Sequence, residues 1–171
     1  MNANAFDVLF KIYDIVKSWL EYSEKKNVIL FTVVGIELAV LKYISVSLSS
    51  NYLEIPMIII SCAFLIALLS FYPKSKRYPF TKIKKPSSED KNINVIFYGD
   101  IKNINLEKYM ELLRTKYDLD PRENKLLEDI CDQIVILSKI AYAKIKFFKY
   151  SVSFAIIGQF ALVISMIMNR S

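Results

Sequence analysis

Val28–Ser47 (VILFTVVGIELAVLKYISVS) holds twenty residues and only two charges, Glu37 and Lys42. A bilayer core takes roughly 20 helical residues to cross. Only helices and closed barrels satisfy their backbone polar groups there. Two further apolar stretches follow, Pro56–Tyr72 and Phe148–Met168, in a chain of 171 residues. The pattern predicts an all-α membrane protein with three transmembrane helices, at 28–47, 56–72 and 148–168, and a small cytoplasmic portion.

Upstream of the first span, Leu9, Ile12, Val16, Trp19 and Leu20 recur at helical spacing, while Asp7, Lys11, Asp14, Lys17 and Glu21 mark polar faces. No Gly or Pro separates this segment from Val28, so residues 1–27 are expected to be a cytoplasmic amphipathic helix that runs on into the membrane. Its four acidic residues, and the lack of a short apolar core with a small-residue cleavage site, argue against a signal peptide. Residues 48–55 form a polar outer loop, and Pro56 suits the first turn of the second span. Pro73 ends that span.

The segment 73–147 is expected to be cytoplasmic. Pro79–Asn92 reads as a basic linker centred on Pro86-Ser87-Ser88. Val95-Ile96-Phe97-Tyr98 is a short apolar run closed by Gly99-Asp100, the signal of a strand or a turn. Asn105 is placed to cap a helix over Leu106–Tyr117. Beyond Pro121, Leu127, Ile130, Ile134, Leu137, Ala141 and Phe148 keep a three-four spacing. That predicts one helix from about Arg122 to Met168. The first and third spans are thus each continuous with a cytoplasmic helix. The apolar repeat outside the membrane needs a cover. A second copy of the chain would supply it, or in part Phe6–Leu20 of the same chain.

The chain is 54% hydrophobic yet 23% charged because the charges are segregated. Met1–Asn27 carries four Lys and four acidic residues, net zero, whereas Pro73–Lys125 carries 13 basic and 8 acidic residues, net +5 of the overall +6. Lys74, Lys76, Arg77, Lys82, Lys84 and Lys85 follow the second span, Lys144, Lys146 and Lys149 open the third, and Arg170 stands alone after it. The positive-inside rule then places the N-terminus in the cytoplasm and the C-terminus outside. The basic run sets topology or touches anionic headgroups; a phosphate ligand or nucleic acid is the competing reading.

Enzymatic chemistry finds little material. The chain has no His, three Gly, and two Cys, Cys62 and Cys131, with neither disulfide framework nor metal-ligand spacing. A Gly-rich phosphate loop, a nucleophile elbow and a paired-His metal site are all missing. Asp129 and Asp132, three apart, read as a solvated helix face. No catalytic residue, metal ligand or resident cofactor is expected, and no nucleic-acid partner.

The polar residues inside the spans are more informative. Glu37 lies eleven residues beyond Lys26, about 16 Å deep at the helical rise, and Gln159 ten residues beyond Lys149, about 15 Å deep. Ser61 and Cys62, counted back from Lys74, lie about 18–20 Å deep. An ionisable group at that depth costs at least about 2.5 kcal/mol, so Glu37 should face protein or water. Glu37, Gln159 and Ser61 either line a regulated pore or hydrogen-bond between helices as glue for an oligomer. Gly99-Asp100 also admits two readings. One is a turn closing a strand, with Gly at positive φ. The other is exposed amides that, with Tyr98 or Asp100, meet a small polar ligand.

Ile96-Phe97-Tyr98-Gly99-Asp100-Ile101 resembles a hallmark of the Pycsar transmembrane effectors of bacterial antiphage defence. Asp132-Gln133-Ile134-Val135-Ile136-Leu137-Ser138-Lys139 is similar to the stretch before that family's last span, and Trp19-x-x-x-Ser23-Glu24-Lys25-Lys26 to the one before its first. The order of features resembles the family end to end. The chain departs from it at Glu24 and Asn27, where the family often has Asp-x-Lys-Ala, and lacks an Asn common within the first span. The resemblance implies a membrane effector of the bacterial inner membrane, switched on by cyclic UMP or cyclic CMP from a cognate cyclase. It implies an effector that disrupts the membrane and arrests the infected cell, with lipids and other copies of itself as partners. It turns attention to Tyr98, Gly99, Asp100 and Gln133 as ligand-binding residues, with Arg114 and Arg122 as nearby cations for a phosphate. A non-conducting anchor that recruits a cytoplasmic partner through its helices is the alternative.

Overall fold

A computed structural model describes residues 3–48, 51–72 and 93–168. The basic run Lys74–Lys85 and Pro86-Ser87-Ser88 lie outside them. In chain order the elements are α1 (Ala3–Leu48), a 3-10 turn (Asn51–Leu53), α2 (Glu54–Leu69), α3 (Tyr98–Ile101), α4 (Leu106–Tyr117), a second 3-10 turn (Pro121–Glu123) and α5 (Lys125–Met168). The regular elements of the described residues are all helical, with no strand. They divide into two compact units, one within Met1–Tyr22 and Lys74–Ala143, the other within Ser23–Pro73 and Lys144–Ser171. α1 and α5 each contribute to both.

The first unit is a helical cluster with a closed core. Leu9, Ile12 and Val16 of α1 meet Tyr109, Met110, Leu112 and Leu113 of α4 and Leu127, Cys131, Ile134 and Val135 of α5. The first part of the α5 repeat, Leu127, Ile130, Ile134 and Leu137, therefore packs against α1 and α4 of the same chain. Of the covers the sequence offers for this stripe, a second copy of the chain and Phe6–Leu20, α1 supplies the latter.

The predicted strand or turn at Ile93–Ile101 is a turn followed by a short helix. Apolar β-formers make a strand only where another strand pairs with them; here local capping prevails. Asn94 Oδ1 accepts the Ile96 N–H at 2.9 Å, and Asp100 Oδ2 accepts the Asn94 N–H at 2.9 Å. These side chains offer the backbone a turn in place of a ladder. Gly99 does not supply a positive φ; the one described residue that does is Asp118. Asp118 sits in the left-handed conformation at the end of α4, with its N–H on the Arg114 carbonyl. Asp tolerates that conformation better than most residues.

Caps fix the other boundaries. Asn105 Oδ1 accepts the Lys108 N–H at 2.9 Å, as its position before α4 predicts. The last long helix begins at Lys125, a little after the predicted Arg122. Asp120 and Pro121 first build the 3-10 turn, and Asn124 Oδ1 then accepts the Leu126 N–H at 2.9 Å. Tyr109 ties this layer together: its fully buried hydroxyl donates to the Val95 carbonyl at 3.1 Å. Tyr109→Phe leaves that carbonyl unpaired and is expected to destabilise the first unit by about 1 kcal/mol. Thermal unfolding of the detergent-solubilised chain measures it.

The second unit is apolar outside as well as inside. Val34, Leu41, Ile60 and Ala63 form its centre, and Phe31 stacks on Phe64 with ring centroids 4.6 Å apart. In the most apolar 18-residue window of α1, and likewise of α5, only 11% of residues are buried. Ile29, Val33, Ile36 and Val40 on α1, and Phe160, Ile164 and Ile167 on α5, are all more than half exposed. An apolar surface of that extent needs lipid or partner protein around it. α1 and α5 are each long and apolar enough to cross a membrane.

The predicted second span, Pro56–Tyr72, is the 16-residue α2, Glu54–Leu69. It starts earlier because Pro56 fits within a first turn, where no N–H partner is lost. It stops at Ser70, whose hydroxyl donates to the Ala67 carbonyl at 2.6 Å. At about 24 Å α2 is shorter than a bilayer core, so two helices, rather than the predicted three, reach spanning length.

Candidate functional site

Two clusters of chemistry stand out, one in each unit. In the second unit, Gln159 Nε2 donates to Glu37 Oε1. α1 and α5 thus bring together the two polar side chains whose depths coincide in the sequence. Glu37 is half-buried and Gln159 exposed, while Ser61 is half-buried on α2. Three further polar ties join the helices of this unit. Lys144 Nζ bonds Glu24 Oε1 at 2.8 Å. The buried Asn27 amide donates to the carbonyls of Ser23 at 2.9 Å and Lys144 at 3.3 Å, and its Oδ1 accepts from no described group. Ser151 Oγ donates to the Ala63 carbonyl at 2.7 Å. Sequence reasoning singled out neither Asn27 nor Ser151 as a tie. The available signal was a small polar residue at the edge of each long span, which looks the same whether it faces a headgroup or a neighbouring helix.

In the first unit, α3 holds Tyr98, Gly99 and Asp100 together. Asp100 is already engaged in capping Asn94. Tyr98 lies against the Trp19 ring of α1, centroids 5.3 Å apart, and against Phe97 at 4.8 Å; Trp19 and Phe97 meet edge to face at 6.4 Å. Burial, and secondarily Tyr142, raise the Tyr98 phenol above its ordinary pKa. Lys102 Nζ rests over the Tyr142 ring, a cation–π contact. A Cβ on Gly99 would lie 2.4 Å from Phe97 Cε1. The glycine is therefore explained by the ring packed onto it. Trp19 and Phe97 were not among the residues picked out for a ligand, because a Trp or Phe next to an apolar stripe reads first as core.

The other sequence candidates are placed differently. Arg114 pairs with Asp120 at 3.8 Å and lines a cavity of about 630 Å³ together with Phe6, Asp118, Asp120, Glu123 and Leu127. Three carboxylates beside one guanidinium repel a phosphate. Arg122 is exposed on the 3-10 turn, and Gln133 is exposed on α5. Among the described residues no cluster of three or more His, Cys, Asp or Glu is arranged to hold a metal ion. The buried Cys131 thiol is pushed up to about 12 by burial and, secondarily, by Glu128. It stays protonated at neutral pH, and the thiolate is the nucleophile. Cys131 is expected to alkylate at least tenfold more slowly than a free thiol at pH 8, and to speed up as the pH approaches 12 or the chain unfolds. Mass spectrometry after timed N-ethylmaleimide exposure reads this.

No curated protein and no solved structure matches the chain. A family model does: the Pycsar effector protein domain matches residues 8–169, from the first turns of α1 past the end of α5. With the match spanning both units, the chain belongs to the Pycsar effector family.

Proposed function

We propose that this antiphage defence effector acts in the bacterial inner membrane. A cyclic nucleotide from a cognate cyclase, cyclic UMP or cyclic CMP, switches it on, and it then breaks membrane integrity as a homo-oligomer. Family membership supports the defence role. The observation that carries the mechanism is the continuity of α1 and α5, each an unbroken helix contributing to a closed core and to an apolar unit. A ligand that repacks these helices in the first unit has a physical route to the spans. Neither step needs chemistry of the protein's own, only differential affinity for two arrangements.

α2 is read as the second of three spans. It packs in the second unit through Ile60 and Ala63, and its outward Ile55, Ile58 and Leu65 are exposed. A short hydrophobic helix is accommodated by local bilayer thinning. The basic residues after α2 and before the third span favour a cytoplasmic N-terminus and an external C-terminus. Gln159 and the half-buried Glu37 support oligomer formation. Each has hydrogen-bonding capacity left over beyond their mutual bond, and at mid-bilayer depth another copy is the available partner. Whether ions or larger solutes pass depends on how these groups rearrange.

A cell experiment tests the reading. Bacteria expressing the chain are given a pyrimidine cyclase, and a membrane-potential dye is followed. Rapid depolarisation only when chain and active cyclase are both present is the expected result. Growth arrest without depolarisation would favour the non-conducting anchor.

A further inference from the structure

We infer that the aromatic cluster of Trp19, Phe97 and Tyr98, with Lys102 and Tyr142 beside it, is the base-stacking face of the nucleotide site. The inference rests on the nucleotide-activated reading above and assigns residues to it. Trp19 is 36% and Phe97 40% exposed, as are Phe10, Ile15 and Tyr22 of α1 and Tyr117 of α4 to a similar degree; what sets Trp19 and Phe97 apart is that they close on α3. Both rings contact Tyr98. An exposed set of touching rings is the surface on which a nucleobase stacks, since every base has a π-face. A nucleotide also brings a phosphate, which needs a cation or N–H donors. Lys102 is such a cation: its backbone N–H donates to the Tyr98 carbonyl at 3.1 Å, one turn along, and its Nζ rests over the Tyr142 ring. The cavity at Arg114 is lined by three carboxylates and is the wrong sign for this ligand.

Tryptophan and tyrosine also collect at membrane surfaces, and that occupant is disfavoured by distance. Trp19 lies seven residues before Lys26 on the same helix, about 10 Å along its axis. The headgroup layer adds only about 5–7 Å on each side of the hydrocarbon. Trp19 therefore lies on the water side of that layer. Gly99 gives a further reason to read the cluster as built. Its lack of a side chain is what lets the Phe97 ring lie over α3.

Trp19 is the only tryptophan of the chain, so its emission reports on the site directly. The full chain in lipid nanodiscs is titrated with cyclic UMP, cyclic CMP, cyclic AMP and cyclic GMP, following Trp19 fluorescence and, in parallel, calorimetric binding. Saturable quenching by at least one nucleotide is expected. Tyr98→Ala should weaken that binding about tenfold or more, the range set by one stacked base. Tyr98→Phe should bind as the natural chain does, and Lys102→Gln should weaken binding about fivefold with an unchanged melting temperature. Lys102→Gln keeps the test decisive if Tyr98→Ala fails to fold. Nucleotide binding with no change in Trp19 emission and unaltered affinity in both variants overturns the assignment and leaves nucleotide activation standing. Quenching of Trp19 by brominated lipids without nucleotide makes the cluster a headgroup anchor and also overturns it. If no cyclic nucleotide binds or triggers leakage, both the assignment and the reading beneath it fail.

Discussion

Gly158→Leu is expected to lower the stability of the second unit by about 1–3 kcal/mol or more, and with it any activity that depends on the spans. A Cβ alone at that position would lie 2.4 Å from Ile60 Cγ1 and 3.3 Å from its Cδ1. Ile60 is fully buried between its neighbours, and a β-branched side chain has few rotamers to retreat into. α5 must therefore move away from α2, and the Ser151 hydroxyl bond to the Ala63 carbonyl goes with it. Gly35→Ala is the control. Its Cβ would meet the Phe64 ring at 3.2 Å, a contact that a small ring shift relieves, so its effect should be several-fold smaller. Melting temperatures of the detergent-solubilised variants separate the two. The pair Gly158→Ala with Ile60→Ala should recover part of the loss, because the second change opens the space the first one fills.

Glu37→Leu is expected to destabilise the same unit by about 1–2 kcal/mol, because it strands the Gln159 amide, which the proposed topology sets at mid-bilayer depth. Glu37→Gln should preserve folding, since an amide oxygen still accepts the Gln159 bond. The double change Glu37→Leu with Gln159→Leu should sit close to the natural chain, because removing both partners leaves no unmet group. If the pair also lines an opening in the active state, Glu37→Gln should reduce cation selectivity while leaving assembly intact. Size measurement in detergent and leakage from liposomes of the same preparations read both. Unchanged stability in Glu37→Leu would mean that water or lipid headgroups replace the lost bond.

The sequence made the helices legible where physics is local. The absence of Gly and Pro between Phe6 and Val28 predicts the unbroken α1, and Asn105 predicts the start of α4. The shared depth of Glu37 and Gln159 follows from residue counting alone, and the structure brings them together. Tertiary cover was not legible. The stripe Leu127–Phe148 looks the same whether α1 and α4 or a second copy packs on it, since spacing records the need for a partner without identifying it. Ile93–Ile101 was open between strand and turn because Val, Ile, Phe and Tyr favour strands. The caps that decide it come from Asn94 and Asp100, six residues apart. In the candidate site, Tyr98, Gly99 and Asp100 were visible through their motif. Trp19 was visible only as part of an apolar face, and its approach to Tyr98 is a long-range contact that no local pattern carries.

The most direct test uses purified chain in liposomes loaded with a self-quenched dye. Cyclic UMP and cyclic CMP are added separately at micromolar concentration, with their linear monophosphates as controls. Dye release or ion flux within minutes, with one cyclic nucleotide and not its linear form, is the result expected of a nucleotide-switched membrane effector. Intact liposomes with every cyclic nucleotide, from protein shown to be folded and inserted, would contradict it.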